Sequence, residues 1–181
     1  MIKTFKQSLG TGLIVSSLFI SAPALAWENL SEGNNCQIGQ SFDGPGNTIL
    51  IISQSQDGFD DGDWVMLYLQ NKNWSINSGE QLGVIRIEND DGEWVENNAY
   101  GGNHSFGLRI PFNEFERIYS GENDSIMVFR EGQLIDKLSL SGFSLYYNLF
   151  FVCRYKKITA KAEQERLDNI EKNIPRDPFA K

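Results

Sequence analysis

Two loops of this chain contain glycine and a cluster of carboxylates. By residue type and spacing, these carboxylates are the best candidates in the sequence for binding an ion or a partner. Carboxylate oxygens bind hard cations, and on exposed loops they also attract basic proteins. The acidic residues are Asp57, Asp60, Asp61 and Asp63 in the first loop and Asp90 and Asp91 in the second. These side chains are our candidates for binding a partner.

A calcium-binding loop is the more specific interpretation of the first cluster. The EF-hand pattern, started at Asp57, places Phe59 at the third position and Tyr68 at the twelfth. Phenylalanine cannot ligate a cation, and the bidentate glutamate that closes such a loop is missing. A less regular calcium site would use Asp60, Asp61 and Asp63. The alternative is that the segment is an acidic loop between two strands and binds no ion. We predict no metal and no other cofactor.

Catalytic chemistry has no clear set of residues in this sequence. His104 is the only histidine, and Ser105 follows it directly, but adjacent residues on a strand point to opposite faces. One histidine without cysteine ligands does not make a typical zinc site. An acidic chain holds many carboxylate pairs, and none is singled out for glycoside hydrolysis. We predict a non-enzymatic protein, with a carboxylate-based hydrolase as an alternative.

Cys36 and Cys153 are the two cysteines of the chain, so one intrachain disulfide is available to them. A redox-active pair would sit close in sequence as Cys-x-x-Cys, which is not the spacing here. A structural disulfide of this span stabilises a domain by about 4 to 5 kcal/mol through loop closure. It also indicates an oxidising compartment.

Residues 1–26 have the composition of a secretory signal peptide. Lys3 and Lys6 precede a short apolar run, and Ala24 and Ala26 stand at the alternate final positions of a cleavage site. Cleavage there would make Trp27 the first mature residue. No later segment has the roughly 20 apolar residues that a membrane span needs. We therefore predict export to the periplasm or the medium of a Gram-negative bacterium, without an integral membrane segment.

The charge of the chain restricts its partners. The formal charge is −8, and loss of the two signal-peptide lysines makes it about −10. Nucleic-acid binders carry basic faces, and anionic lipid also selects basic segments, so neither is expected as a partner. A basic protein is the partner class that the charge favours, although an acidic surface also serves solubility alone.

Short runs rich in β-branched and aromatic residues, several of them alternating apolar with polar, predict strands across the middle of the chain. Asp91-Gly92 and Glu131-Gly132 are turn dipeptides between such runs. We predict a mainly β domain, an antiparallel β-sandwich or a barrel-like fold. The runs are 48–52, 64–69, 82–87, 105–110, 125–130 and 134–140.

Helical spacing is confined to three segments. Residues 111–119 predict a short helix before the last hairpin, and aromatic residues repeat every three or four positions over 142–153, which predicts a packed helix. The segment after Lys156 is polar and predicts an exposed C-terminal helix, with partner docking as its alternative role. The predicted organisation is a signal peptide at 1–26, a disulfide-closed domain at 27–155 and a polar helix and tail at 156–181.

The second half of the chain resembles the invasion-associated locus B family of small exported bacterial proteins. The resemblance lies in residues 74–82 (WSINSGEQL), 84–87 (VIRI) before 90–92 (DDG), 132–135 (GQLI) and 138–143 (LSLSGF). It implies a periplasmic or surface β-rich domain linked to host interaction or envelope function. The family supplies no catalytic residues to transfer.

These observations together predict an exported, non-enzymatic binding protein of the bacterial envelope, connected with host interaction or virulence, whose partner is a protein, favoured to be basic. An inhibitor or immunity protein against a basic cell-wall hydrolase or toxin is the alternative within the same class.

Overall fold

The computed structural model describes residues 27–33, 35–54, 63–119 and 123–173. Most of its elements are short strands, as the sequence predicts. They are β1 (Glu28–Asn29), β2 (Cys36–Phe42), β3 (Thr48–Gln54), β4 (Trp64–Gln70), β5 (Gln81–Asn89), β6 (Trp94–Gly102), β7 (Ser105–Pro111), α1 (Phe112–Tyr119), β8 (Ser125–Arg130), β9 (Gln133–Ser139) and α2 (Phe143–Asn173). The predicted signal peptide, most of the first acidic loop and residues 174–181 lie outside the described residues.

The nine strands form one antiparallel sheet in the order β1-β2-β3-β4-β7-β6-β5-β8-β9. The sheet curls into a half barrel, which confirms the predicted mainly β, antiparallel and barrel-like class. The curl brings β9 back towards β3, where the Thr48 hydroxyl donates a 2.6 Å hydrogen bond to Asp136. Only one face of such a sheet can be buried inside the curl, so the side chains alternate between core and solvent.

The inner face of the sheet is the apolar core. In β3 the residues from Thr48 to Gln54 alternate strictly between buried and partly buried positions. β4 alternates in the same way, as do residues 106–111 of β7 and 126–129 of β8. Buried Leu67, Leu108 and Val128 represent the three strands. Cross-strand partners share a face, so Leu67 lies directly opposite Leu108 on the inner side.

The two ends of the half barrel differ. At one end, which we call the helix end, lie the C-termini of β3 and β5 and the N-termini of β4, β6 and β8. Helix α1 follows β7 at this end and buries Phe112, Phe115, Ile118 and Tyr119. We call the opposite end, where β5 and β7 begin and β8 finishes, the open end.

Aromatic rings fill the helix end. The Phe115 ring lies 4.6 Å from Tyr119, 6.0 Å from Phe150 and 6.1 Å from Tyr147 between ring centroids. Phe143 continues the cluster to Trp27 at 4.8 Å. The aromatic repeat predicted over 142–153 therefore packs against α1 and the first described residue of the chain.

The predicted packed and exposed helices are one continuous helix, α2, of 31 residues. No glycine or proline stands between Cys153 and Ile158, so nothing in the chain ends the helix there. Its first part packs on the domain, whereas the described side chains after Lys161 are exposed. Within the described residues, no helix is both long and apolar enough to cross a membrane.

The predicted disulfide is confirmed by its geometry. The Sγ atoms of Cys36 and Cys153 are 2.05 Å apart and their Cα atoms 5.8 Å, with 117 residues of separation in sequence. The bond joins the start of β2 to the first half of α2. Nearby, the Lys157 ammonium donates to the carbonyl oxygen of Gly33 at 2.6 Å, which gives the same helix a second attachment to the N-terminal segment.

Replacing both cysteines by alanine should lower the free energy of unfolding by up to about 4 to 5 kcal/mol, because the unfolded chain regains the entropy of a long loop. Urea unfolding of the oxidised wild type and the double variant measures the difference. Reduced wild-type protein is the control and should match the variant. Equal urea midpoints for all three would contradict a stabilising role for the bond.

Candidate functional site

The predicted partner-binding aspartates are separated by the structure into distinct environments at the helix end. Asp63 precedes β4, and Asp90 and Asp91 lie in the turn between β5 and β6. Asp57, Asp60 and Asp61 lie outside the described residues. The antiparallel register places the start of β4 and the β5–β6 turn at the same end of the sheet.

Asp63 holds the helix to the sheet. Its carboxylate is ion-paired with the nearly buried Arg154 of α2 and accepts a 2.9 Å hydrogen bond from the Gln54 side chain. The Arg154 guanidinium also lies 3.5 Å from the centre of the Phe112 ring. The carboxylate thus stabilises the junction of β3, β4 and α2. Asp63, which we predicted as a partner-binding residue, therefore has a structural role.

Asp90 fastens the β5–β6 turn to β8. It accepts hydrogen bonds of 2.7 Å from both the backbone N–H and the hydroxyl of Ser125, and the Lys137 ammonium lies 3.8 Å away. The hydrogen bond from the Ser125 side chain is the main reason that the pKa of the Asp90 carboxyl is lowered from its ordinary value of 3.8. Asp91, next to it, is exposed.

Asn89 and Arg117 organise the same turn, and sequence reasoning did not single out either residue. The Asn89 amide is buried, accepts from the N–H groups of Asp91 and Glu93, and donates to the carbonyl of Ile118. Arg117 of α1 forms ion pairs with Glu93 and Glu114. Cationic partners within the chain therefore neutralise part of the acidity at the helix end.

His104 and Ser105 hold different partners, but not through the strand alternation expected from sequence, because β7 begins at Ser105 and His104 lies in the preceding turn with a φ of +55°. The Nδ1 atom of His104 lies 2.6 Å from the Trp74 carbonyl oxygen. The Ser105 hydroxyl is buried and lies 2.6 Å from the Tyr68 hydroxyl. The two side chains anchor the open end of the barrel and do not form a nucleophile and its base.

Metal coordination is not supported in the part of the chain that the structure describes, where no three His, Cys, Asp or Glu side chains are arranged to hold an ion. Two members of the less regular candidate calcium site, Asp60 and Asp61, lie outside that part. The third, Asp63, is engaged by Arg154.

The strongest candidate surface lies on the outer face of β6, β5, β8 and β9. It contains a cleft of about 530 Å³ lined by Val84, Arg86, Glu88, Glu96, Phe129, Glu131 and Gly132. The register sets Glu96, Arg86, Phe129 and Leu134 in one row across the four strands. We call the cleft together with Trp94 and Leu134 the outer-face patch.

Large apolar side chains on the patch remain accessible to solvent. Val84 is 48 % exposed, Trp94 43 % and Leu134 54 %, and Phe129 is partly buried beside them. The Arg86 guanidinium lies 5.0 Å from the Trp94 ring centroid and is ion-paired with Glu88. Three carboxylates and one guanidinium line the cleft, so its charge is negative.

Two β-bulges determine which residues the patch displays. The register shifts between Gln81 and Gly83 in β5, where Gly83 has a φ of +74°, and this shift turns Val84 outward and Ile85 inward. A second register shift, opposite Val128 and Phe129, turns Leu134 of β9 outward. Gly83 within an apolar run was the available sequence signal for the first bulge.

Comparisons with known protein families, with curated protein sequences and with solved structures give no match to this chain.

Changing Asp90 to asparagine should remove an acid-dependent part of the stability. The folded pKa of Asp90 is depressed, so its contribution is fully present above the unfolded pKa of about 3.8 and is lost as pH falls through the folded pKa. Urea unfolding of the wild type and Asp90→Asn between about pH 7 and about pH 2 tests this. The wild type should be the more stable at neutral pH and should lose that advantage in acid.

The matched control is Asp91→Asn, which removes an exposed carboxyl from the same turn. Its pH profile should follow the wild type. If Asp90→Asn and Asp91→Asn give the same profile, Ser125 does not stabilise the ionised Asp90 to a measurable extent.

Proposed function

We propose that this protein is an exported, non-enzymatic binding protein of the bacterial envelope that binds a protein partner through the outer-face patch. The observation that carries the proposal is the grouping of Val84, Trp94 and Leu134, all well exposed, around a cleft on a sheet whose other face already forms the core. Contiguous exposed apolar surface with a polar surround is typical of protein interaction sites.

The composition of the patch suits an interface. Trp and Arg are the residue types that most often dominate binding energy, and here Trp94 and Arg86 lie against each other. Glu96 and Glu131 supply negative charge beside them. Such a surface favours a partner with an apolar anchor and basic residues around it, because complementary charge speeds association and excludes acidic competitors.

A basic partner agrees with the acidity of the chain. The proposed binding residues are those of the outer-face patch and no longer the aspartates of the two loops. The resemblance to the invasion-associated locus B family stays a prediction, as do the signal peptide, the periplasmic or secreted location and a role in host interaction. A basic cell-wall hydrolase or toxin is a specific partner that fits the same charge, and an inhibitor or immunity role remains the alternative function.

Binding through the patch predicts position-specific cross-linking. A photoreactive amino acid at Val84 should cross-link the partner in living cells, whereas the same amino acid at Leu145, an exposed apolar position on α2, should not. Mass spectrometry of the Val84 adduct identifies the partner. Cross-linking at Leu145 alone would place the interface on the helix and contradict the proposal.

The affinity of the purified partner then tests the chemistry of the patch. Trp94→Ala should weaken binding by about 2 kcal/mol, the scale of a central aromatic anchor. The double change Glu96→Lys and Glu131→Lys should weaken binding most at low salt, because it repels a basic partner. Asp91→Lys is the matched charge reversal at the helix end. If it alone weakens binding, the acidic loop is the interface and the outer-face patch is not.

A further inference from the structure

A second concave surface lies on the other side of the sheet, at the open end. It is a cavity of about 280 Å³ between the β4–β5 loop and the inner faces of β5, β7, β8 and β9. Apolar side chains dominate its walls, and none of the described residues that line it carries a carboxylate. The lining residues are Asn73, Trp74, Ser75, Ile76, Leu82, Ile85, Phe106, Arg130 and Ile135.

The loop that covers the cavity is fixed in place. The Trp74 ring stacks on Phe106 with centroids 5.3 Å apart and an angle of 19° between planes. Backbone bonds join residues 79 and 80 to Gly101 at 2.8 and 2.7 Å. A Cβ atom on Gly101 would come within 2.5 Å of the Asn77 carbonyl oxygen, so the loop approaches β6 as closely as glycine allows. The cavity is therefore preformed, which lowers the entropic cost of binding.

Arg130 is the charged residue of this cavity. It ends β8 and pairs directly with Ile85, whose side chain is fully buried on the inner face. Since cross-strand partners share a face, the Arg130 side chain belongs to the inner face as well. It is partly buried and lines the cavity.

The guanidinium of Arg130 has no partner within the described residues, and in this it differs from the other described arginines. Arg86, Arg117, Arg154 and Arg166 each pair with a carboxylate, and Arg109 lies over the Trp64 ring at 4.1 Å. A partly buried, unpaired cation on an apolar wall loses hydration without compensation. An anion placed there would restore the lost hydrogen bonds, and the planar fork of arginine matches a carboxylate in particular.

We propose that this cavity binds a small monocarboxylate with an apolar body. The carboxylate accepts two hydrogen bonds from Arg130, and the hydrocarbon or aromatic body lies against Trp74, Leu82 and Phe106. The volume suits a short ligand, and no acidic side chain among the described lining residues competes for Arg130. The site lies on the face of the sheet opposite the outer-face patch, so it does not depend on the proposed protein partner.

Titration of the full, disulfide-bonded mature protein tests this proposal. Straight-chain carboxylates of increasing length are compared with alcohols and amines of the same length, by calorimetry and by tryptophan fluorescence. Carboxylate affinity should rise about fourfold for each methylene until the cavity is full. The alcohols should bind at least about tenfold more weakly, and the amines should not bind, because only the carboxylate pairs with Arg130.

Two variants and one control locate the site. Arg130→Gln should weaken carboxylate binding about tenfold or more and leave alcohol binding unchanged. Ile135→Trp should fill the cavity and abolish binding of both ligand classes. The matched control is Arg109→Gln, the same substitution at an arginine of β7 on the outer face, which should bind as the wild type does.

Circular dichroism shows whether Arg130→Gln folds. If it does not fold, the comparison of carboxylates, alcohols and amines on the wild type still tests the proposal. Failure of every carboxylate to bind at millimolar concentration overturns the proposal. Equal affinity for carboxylates and alcohols also overturns it, as does unchanged carboxylate binding by a folded Arg130→Gln or Ile135→Trp variant. None of these results bears on cross-linking at the outer-face patch, so the two proposals fail separately.

Discussion

The aromatic cluster around Phe115 is the interaction on which the half barrel depends, because a single curled sheet has no second sheet to cover its inner face. Phe115 is fully buried, and its ring contacts α1 and α2 at once. Fully burying a side chain of this size contributes about 2 to 3 kcal/mol. The disulfide from Cys36 to Cys153 then keeps α2 against the sheet, and Arg154 with Asp63 fixes the rotation of the helix. These contacts together hold both helices to the sheet at the helix end.

Local sequence patterns predicted most of this architecture. The apolar, β-branched run at 48–52, the turn dipeptides at Asp91-Gly92 and Glu131-Gly132, and the aromatic repeat over 142–153 each reflect one element and its immediate neighbours. The cysteine pair was predictable because only one pairing exists. The strand order was not predictable, since the adjacency of β4 with β7 depends on contacts between segments distant in sequence.

The site residues were harder to predict because their roles depend on partners that sequence does not reveal. Asp63 and Asp90 have the composition of a binding loop, yet each carboxylate is occupied, by Arg154 in one case and Ser125 in the other. Those partners lie 91 and 35 residues away along the chain. The exposure of Trp94 is likewise a consequence of register, and so is the inner-face position of Arg130, which has no partner among the described residues. A one-residue shift would move each side chain to the other face.

The two β-bulges connect the fold to both proposed sites. Ile85 and Arg86 point to opposite faces because they are neighbours on a strand, and the Gly83 bulge determines which of the two faces inward. One strand therefore contributes a wall of the cavity and the centre of the outer-face patch. In β9 the second bulge gives Ile135 to the cavity and Leu134 to the patch. Regular alternation continued from buried Leu82 at the start of β5 would have buried Val84 and exposed Ile85. A substitution that removed the Gly83 bulge would therefore disturb both surfaces together, whereas substitutions on either face alone leave the other intact, because the hydrogen-bonded sheet lies between them.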